Sequence, residues 1–516
     1  MSNKTAWEKA AEAQGTTDSE RALARLARKA FLSLWSYPNV HSDEGRSSGK
    51  GDGKELVDLL VVFGNDVLLF SDKHCAFQSD VDIKVAWPRW YKRAIEKSAR
   101  QLAGAENFLR RFPGRVFVDK SCQTKLPVEL PNPSLARYFL IAVTRGGHEA
   151  AVRYFGAGSS GSLMLNSMLE GNAHHERPFE VGFPLKDRRF VHVLDEVTVD
   201  ALLEELDTVP DLVDYLTCKE RYFGANGVFM HVAGEEELLA QYMCTMENGR
   251  HTLPKVPPAT GAVALLEGDW RFYRSSPQRA AKHEADQGSY MWDALIEYQA
   301  SFVRAGTAVG LPEIPPETVD HERILRAIAA EPRLARRELA CHFRFALSKS
   351  EPGKKFARMI LSGDNMSRGY VFLTVPKPPN VDYQDYREMR SAALLAYCHG
   401  IKLRFPRVTE AIGIASEPFS EKVASQEFLY VDLTHEMSSE ESAVWKGAME
   451  ELDVLQTPSK DVQYFGGRSH EFPMPFNFSG PKFYDYESGT PMNRAERRRM
   501  AKEARKEAKK VNKKKR

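Results

Sequence analysis

One acid, Asp58, interrupts the apolar run Leu56-Val57-Asp58-Leu59-Leu60-Val61-Val62-Phe63. A run of this length and character reads as a strand. A carboxylate inside it is costly to bury unless a cation, hydrogen-bond donors or a metal ion satisfy it. Gly64-Asn65-Asp66 then turns the chain into a second run, Val67-Leu68-Leu69-Phe70-Ser71-Asp72-Lys73, which ends on an acid and an amine. The two runs predict a β-hairpin, and its register decides which polar groups meet.

Gly64-Asn65 suits a turn with glycine in first place, and Asn65-Asp66 suits the mirror-type turn. The first sets Asp58 opposite Ser71, the second opposite Lys73. In both, Asp58, Ser71 and Lys73 share one face of the sheet and Asp72 points to the other. A three-residue loop reverses this and brings Asp72 beside Asp58. Directly paired side chains lie about 5 Å apart and diagonal ones about 7–8 Å. The plainest outcome is a structural Asp58–Lys73 cross-strand pair that sets the register.

Around the hairpin, Asp18-Ser19-Glu20 starts a helix running to Trp35, with apolar residues at helical spacing. Glu20 in its first turn complements the helix dipole. Residues 39–54 are polar and rich in Gly and Ser, hence a loop. Trp87-Pro88 opens a second helix reaching about Phe112, Pro113-Gly114 stops it, and 115–118 reads as a further strand. On that helix Arg89, Lys92, Arg93, Lys97 and Arg100 offer a phosphate-facing surface, while Trp87, Trp90 and Tyr91 form its packing side.

This order, with these residues on it, resembles the PD-(D/E)xK nuclease superfamily, the restriction-endonuclease-like fold, over residues 15–125. The resemblance implies an α/β fold, a mixed sheet flanked by helices, and metal-dependent phosphodiester hydrolysis of nucleic acid, most simply by a DNA endonuclease. Glu20 matches the family's early-helix Glu, Asp58 its metal-binding Asp, Ser71-Asp72-Lys73 its acid-x-Lys triplet, and Gln101 its following-helix Gln. On that basis Asp58, Asp72 and Glu20 would hold Mg²⁺, or Mn²⁺ in its place. Lys73 would orient or help deprotonate the attacking water, and Gln101 would fix water or the nucleic-acid backbone.

The chain departs from the pattern at Ser71, which occupies the acidic position two before Lys73. A hydroxyl is a poor substitute for a carboxylate on a hard cation. Either Asp72 supplies the oxygen through a bulge or longer turn, or Glu20 or Glu55 substitutes. Failing both, the chain is a catalytically inactive module that binds nucleic acid or a protein. A rival triplet, Asp82-Ile83-Lys84, precedes Trp87 where the chain leaves the sheet.

The net charge of +2 hides an asymmetry. Residues 494–516 carry 13 Lys or Arg against three Glu, a net +10, which leaves −8 for the remainder. Residues 493–516 therefore read as a disordered basic tail that gives salt-sensitive, sequence-blind affinity for nucleic acid. No apolar run approaches the ~20 residues of a membrane span. Six scattered cysteines without metal-ligand pairs imply reduced thiols in a cytoplasmic setting. His174-His175-Glu176 reads as an exposed loop, and the Gly/Ser-rich 155–162 lacks the Gly-Lys-Ser/Thr ending of a phosphate-binding loop.

Length suggests two to four domains. Residues 15–225 read as the nuclease-like domain and 226–289 as a connecting region. Residues 290–455 read as a second α/β domain for recognition, assembly or regulation, open to a protein partner or a second copy, and 456–492 as an extended linker. In that second domain, strands near 370–375, 411–415 and 428–433 alternate with helices over 385–402 and 438–452.

Overall fold

The computed structural model describes residues 4–455, apart from 13–14, 16, 48–50, 157, 225–227, 257–260, 309–317, 350, 352, 363–365 and 419–424. It also describes 470–474 and 483–484. The basic tail read over 493–516 lies outside the described residues. The architecture is mixed α/β. A helix over 18–31 is closed at its start by a capping box in which Thr17 and Glu20 exchange hydrogen bonds with each other's backbone.

The first sheet has the order β4–β1–β2–β3–β5–β8. Its strands are β1 (Ser36–Ser42), β2 (Lys54–Phe63), β3 (Asp66–His74), β4 (Val116–Phe117), β5 (Arg137–Arg145) and β8 (His192–Asp195). β1, β2 and β3 form an antiparallel meander, and β5 and β8 continue it in parallel. Two helical stretches before the hairpin are α1 (Ala6–Glu12) and α2 (Asp18–Phe31), and a short α3 (Glu44–Ser47) follows β1. Between β3 and β4 run α4 (Ile83–Tyr91), a π-helical turn (Lys92–Glu96) and α5 (Lys97–Arg111). Phe31 of α2 meets Phe70, whereas Arg110 of α5 lies over Tyr138, whose register partner is Val67. Phe70 and Val67 differ by an odd number of strand positions, so α2 and α5 cover opposite faces.

The hairpin turns on Gly64-Asn65: Phe63 pairs with Asp66, and Gly64 alone carries positive φ, at 59°. That is a glycine-first turn. The predicted helix through Trp35 stops at Phe31, and the predicted loop over 39–54 contains most of β1. Pro38 and Asn39, the latter at φ 49°, hide a strand held by its pairing with β2 and not by its own propensity. The strand read at 115–118 is β4, on the far edge beside β1; β5 is the strand that lies against the hairpin.

A second sheet, in the order β17–β12–β9–β6–β7, contains β6 (Met164–Glu170), β7 (Glu180–Phe183), β9 (Phe229–Val232), β12 (Ala262–Leu265) and β17 (Phe483–Tyr484). Residues 226–289, expected to be a connection, thus supply two of its strands; β9 and β12 have only four residues each, too few to show a period. A ribbon of β10 (Met246–Glu247) and β11 (Arg250–His251) lies between them in sequence. The C-terminal sheet is β13 (Phe356–Ser362), β14 (Arg368–Thr374), β15 (Glu410–Ser416) and β16 (Gln426–Asp432), with Tyr383–Arg404 packed on one face. Its other face meets Trp292 and Phe343 from the helices Tyr290–Ala305 and Arg333–Ser348.

The segment read as an extended linker returns to this body. β17 pairs antiparallel with β12. Upstream of it, the Glu471 carboxylate accepts from His251 Nε2 at 2.6 Å and pairs with Lys282 at 3.5 Å. No helix among the described residues is long and apolar enough to cross a membrane.

Candidate active site

The first sheet forks at Asp58. Pairing of β2 with β3 runs from the turn to Leu59↔Phe70. Beyond it β2 stays paired with β1 as far as Lys54, and β3 with β5 as far as His74. A fork leaves backbone donors and acceptors without ladder partners, and buried ones must be met some other way. Asp58 Oδ2 accepts the Asp72 N–H at 2.6 Å, and Gln101 Nε2 of α5 donates to the Leu56 carbonyl at 3.3 Å. Two of the predicted site residues thus stand in for the missing ladder.

Lys73 Nζ reaches the same Asp58 oxygen at 3.4 Å. The carboxylate is 1% exposed and the lysine 30%, so the pair sits at the boundary between core and solvent. Burial pushes the Asp58 carboxyl up to about 6, against the opposing pull of Lys73 and the Asp72 N–H; the nearby charges of Glu55 and Glu20 add to the rise. Ser71, on the face shared with Lys73, is fully buried and its hydroxyl has no hydrogen-bond partner.

Glu20 is joined to this group indirectly. Asn39 Nδ2 donates to Glu20 Oε2 at 3.2 Å and to Glu55 Oε1 at 2.8 Å. Asn39 was not singled out in the sequence because it sits in a polar stretch without a strand signature. Its tolerance of left-handed backbone is what a Pro-Asn step could have suggested.

Asp72 is not brought to the pair. Its side chain points to the α2 face and takes a two-pronged contact from Arg145, Nε at 3.0 Å to Oδ1 and Nη2 at 3.0 Å to Oδ2. Burial nevertheless holds its carboxyl above the ordinary value. Arg145→Met should cost about 3–5 kcal/mol by stranding this acid. A cycle with Asp72→Asn, read by urea unfolding, should recover most of that; additive single effects would show that the two groups are not coupled.

The remaining sequence candidates have structural duties. Asp82 caps α4 by accepting the Lys84 N–H at 2.8 Å, so the rival triplet is a helix start. His174, expected in an exposed loop, is buried against Tyr91 with ring centroids 4.8 Å apart. Its Nε2 accepts the Gly182 N–H and its Nδ1 meets the Gly171 carbonyl, while burial pushes its pKa down to about 4. Both ring nitrogens are therefore occupied.

Among the described residues no group of three or more His, Cys, Asp and Glu side chains is disposed to hold a metal ion. Burial is the main cause that raises the Asp58 carboxyl, and the charges of Glu55 and Glu20 add to it, while Lys73 opposes it. No family model, curated protein or solved structure matches the chain.

Proposed function

We propose that the fork is a nuclease-type centre that hydrolyses phosphodiester bonds of nucleic acid, DNA in the first instance, with Mg²⁺ or Mn²⁺. One observation carries this reading: an acid and an amine from the two hairpin strands meet on one face where the sheet splits, with Gln101 beside them. The order of α2, hairpin and α4–α5 is in keeping with a restriction-endonuclease-like fold, with β1 inserted before the hairpin and β4 intervening before β5, the strand beside it.

Asp58 would be the carboxylate that meets the cation, which would offset charge on the scissile phosphate; Glu20 and Glu55, held on Asn39, would have to shift to join it. Asp72 is committed to Arg145 and takes no part. Lys73, about a third exposed beside a buried acid, would hold a water against the phosphate and help to deprotonate it. Gln101, anchored through one amide hydrogen to Leu56, has its oxygen free to accept from a water.

A second reading, a catalytically inactive module, is favoured by Ser71 in the acidic position. Linear, circular and single-stranded DNA incubated with and without Mg²⁺ or Mn²⁺ separates the two. Metal-dependent nicking should fall by at least about a hundredfold in Asp58→Ala and in Lys73→Ala. Salt-sensitive binding without cutting in the wild type would instead favour the module.

A further inference from the structure

The outer side of α4, the π-turn and α5 carries Arg89, Lys92, Arg93, Lys97 and Arg100, all exposed. At 1.5 Å per residue the ridge runs roughly 16 Å, the length of about five base-pair rises. Its residues recur three and four apart, so their charges repel along the helix. Among the described residues only Glu96 answers them, on Arg100. Lys92 and Lys97 have no carboxylate partner there, in a chain whose charge outside 494–516 is −8. Five cations concentrated on one helix face of an otherwise acidic molecule make an anion-seeking surface.

The ridge also points somewhere. Arg100 precedes Gln101, whose amide holds the Leu56 carbonyl two residues before Asp58. An anion lying along the ridge would thus reach the residue next to Gln101, the helix side chain tied to the fork. The helix aromatics do not join it: Trp87, Trp90 and Tyr91 are turned inward and at most 1% exposed. Single-stranded binders combine cations with exposed aromatic rings on which bases stack. This surface offers cations alone, which suits phosphates whose bases are already paired.

We propose that the ridge seats the sugar–phosphate backbone of double-stranded DNA and delivers it to the fork. The inference deepens the hydrolytic reading and rests on it for the partner's chemistry. Binding is read by fluorescence anisotropy with the full chain, a labelled 30-base-pair duplex and EDTA to prevent cleavage, over a salt series. Arg89→Gln, Lys92→Gln and Lys97→Gln together should weaken duplex binding at least about tenfold. They should also lower the slope of log affinity against log salt by about three. A control of equal charge change on the C-terminal unit, Lys354→Gln, Arg407→Gln and Lys446→Gln, should leave both nearly unchanged.

Equal losses in the two triple variants would reduce the effect to net charge and overturn the ridge. So would single strands bound as tightly as duplex, or a wild type that binds no duplex at 50 mM salt. Ridge-dependent binding by a protein that never cuts would sink the hydrolytic reading and leave the ridge standing. Cutting that the ridge variant retains at low DNA concentration would do the reverse.

Discussion

Asp58→Asn should abolish cleavage and yet make the metal-free protein more stable at pH 7.5. Burial raises this carboxyl from 3.8 to about 6 in the folded chain. The native state therefore binds the proton more tightly than the unfolded state does, and ionising it costs stability. The cost is absent below pH 3.8, grows as pH rises, and is complete above about pH 6. The difference corresponds to about 3 kcal/mol. Asparagine keeps an oxygen for the Asp72 N–H and sheds the charge, at the expense of the Lys73 contact, so a net gain of about 1–2 kcal/mol is expected.

Urea unfolding in EDTA at pH 7.5 and pH 4 measures it: the advantage should be present at the first and shrink at the second. Mg²⁺ or Mn²⁺ should raise the wild-type unfolding midpoint and leave that of the variant unmoved, because a ligand stabilises only the state that holds it. A variant less stable than wild type at pH 7.5 would mean that the Asp58–Lys73 pair exists to hold the hairpin, and the catalytic reading would lose its footing.

Glu471→Ala should be among the most destabilising single changes, at about 3–5 kcal/mol. Its carboxylate lies between His251 and Lys282, and Lys282 is only 4% exposed with Asp286 as its other partner. The backbone around it is held as well, since Arg337 donates to the His470 carbonyl at 2.8 Å and to the Glu471 carbonyl at 3.3 Å. The two cations hold the Glu471 carboxyl down at about 2, so its contribution is present above pH 4.5 and lost as pH falls through about 2. Glu471 in turn raises His251, whose contribution is complete below pH 6.5 and is lost as pH climbs through the raised value. Glu471→Gln should flatten both limbs of the stability–pH curve. A Glu471→Ala protein within 1 kcal/mol of wild type would show the contact to be dispensable.

The hairpin was legible because its signals are local: two apolar runs, a glycine-first turn, and a two-residue alternation that assigns faces. The turn left three registers open, and Phe63↔Asp66 pairing selects the one that sets Asp58 level with Ser71. Partners distant in sequence could not be read. Arg145 lies 73 residues from Asp72, and nothing near either residue announces the other. β1 was missed because Pro38 and Asn39 suppress its strand signal, while its hydrogen bonds come from β2. The exposure of His174 was misjudged because a polar tripeptide reads as a loop, whereas Tyr91 and the Gly182 N–H draw its ring inward.

Glu471 is 220 residues away from the histidine it neutralises. In vectorial synthesis His251 and Lys282 leave the ribosome long before their anion exists. During that interval Lys282 has Asp286 as its partner, and His251, without the carboxylate that raises it, can shed its proton. The charge balance of this pocket is thus completed late in synthesis, by a residue far along the chain from both of its cations.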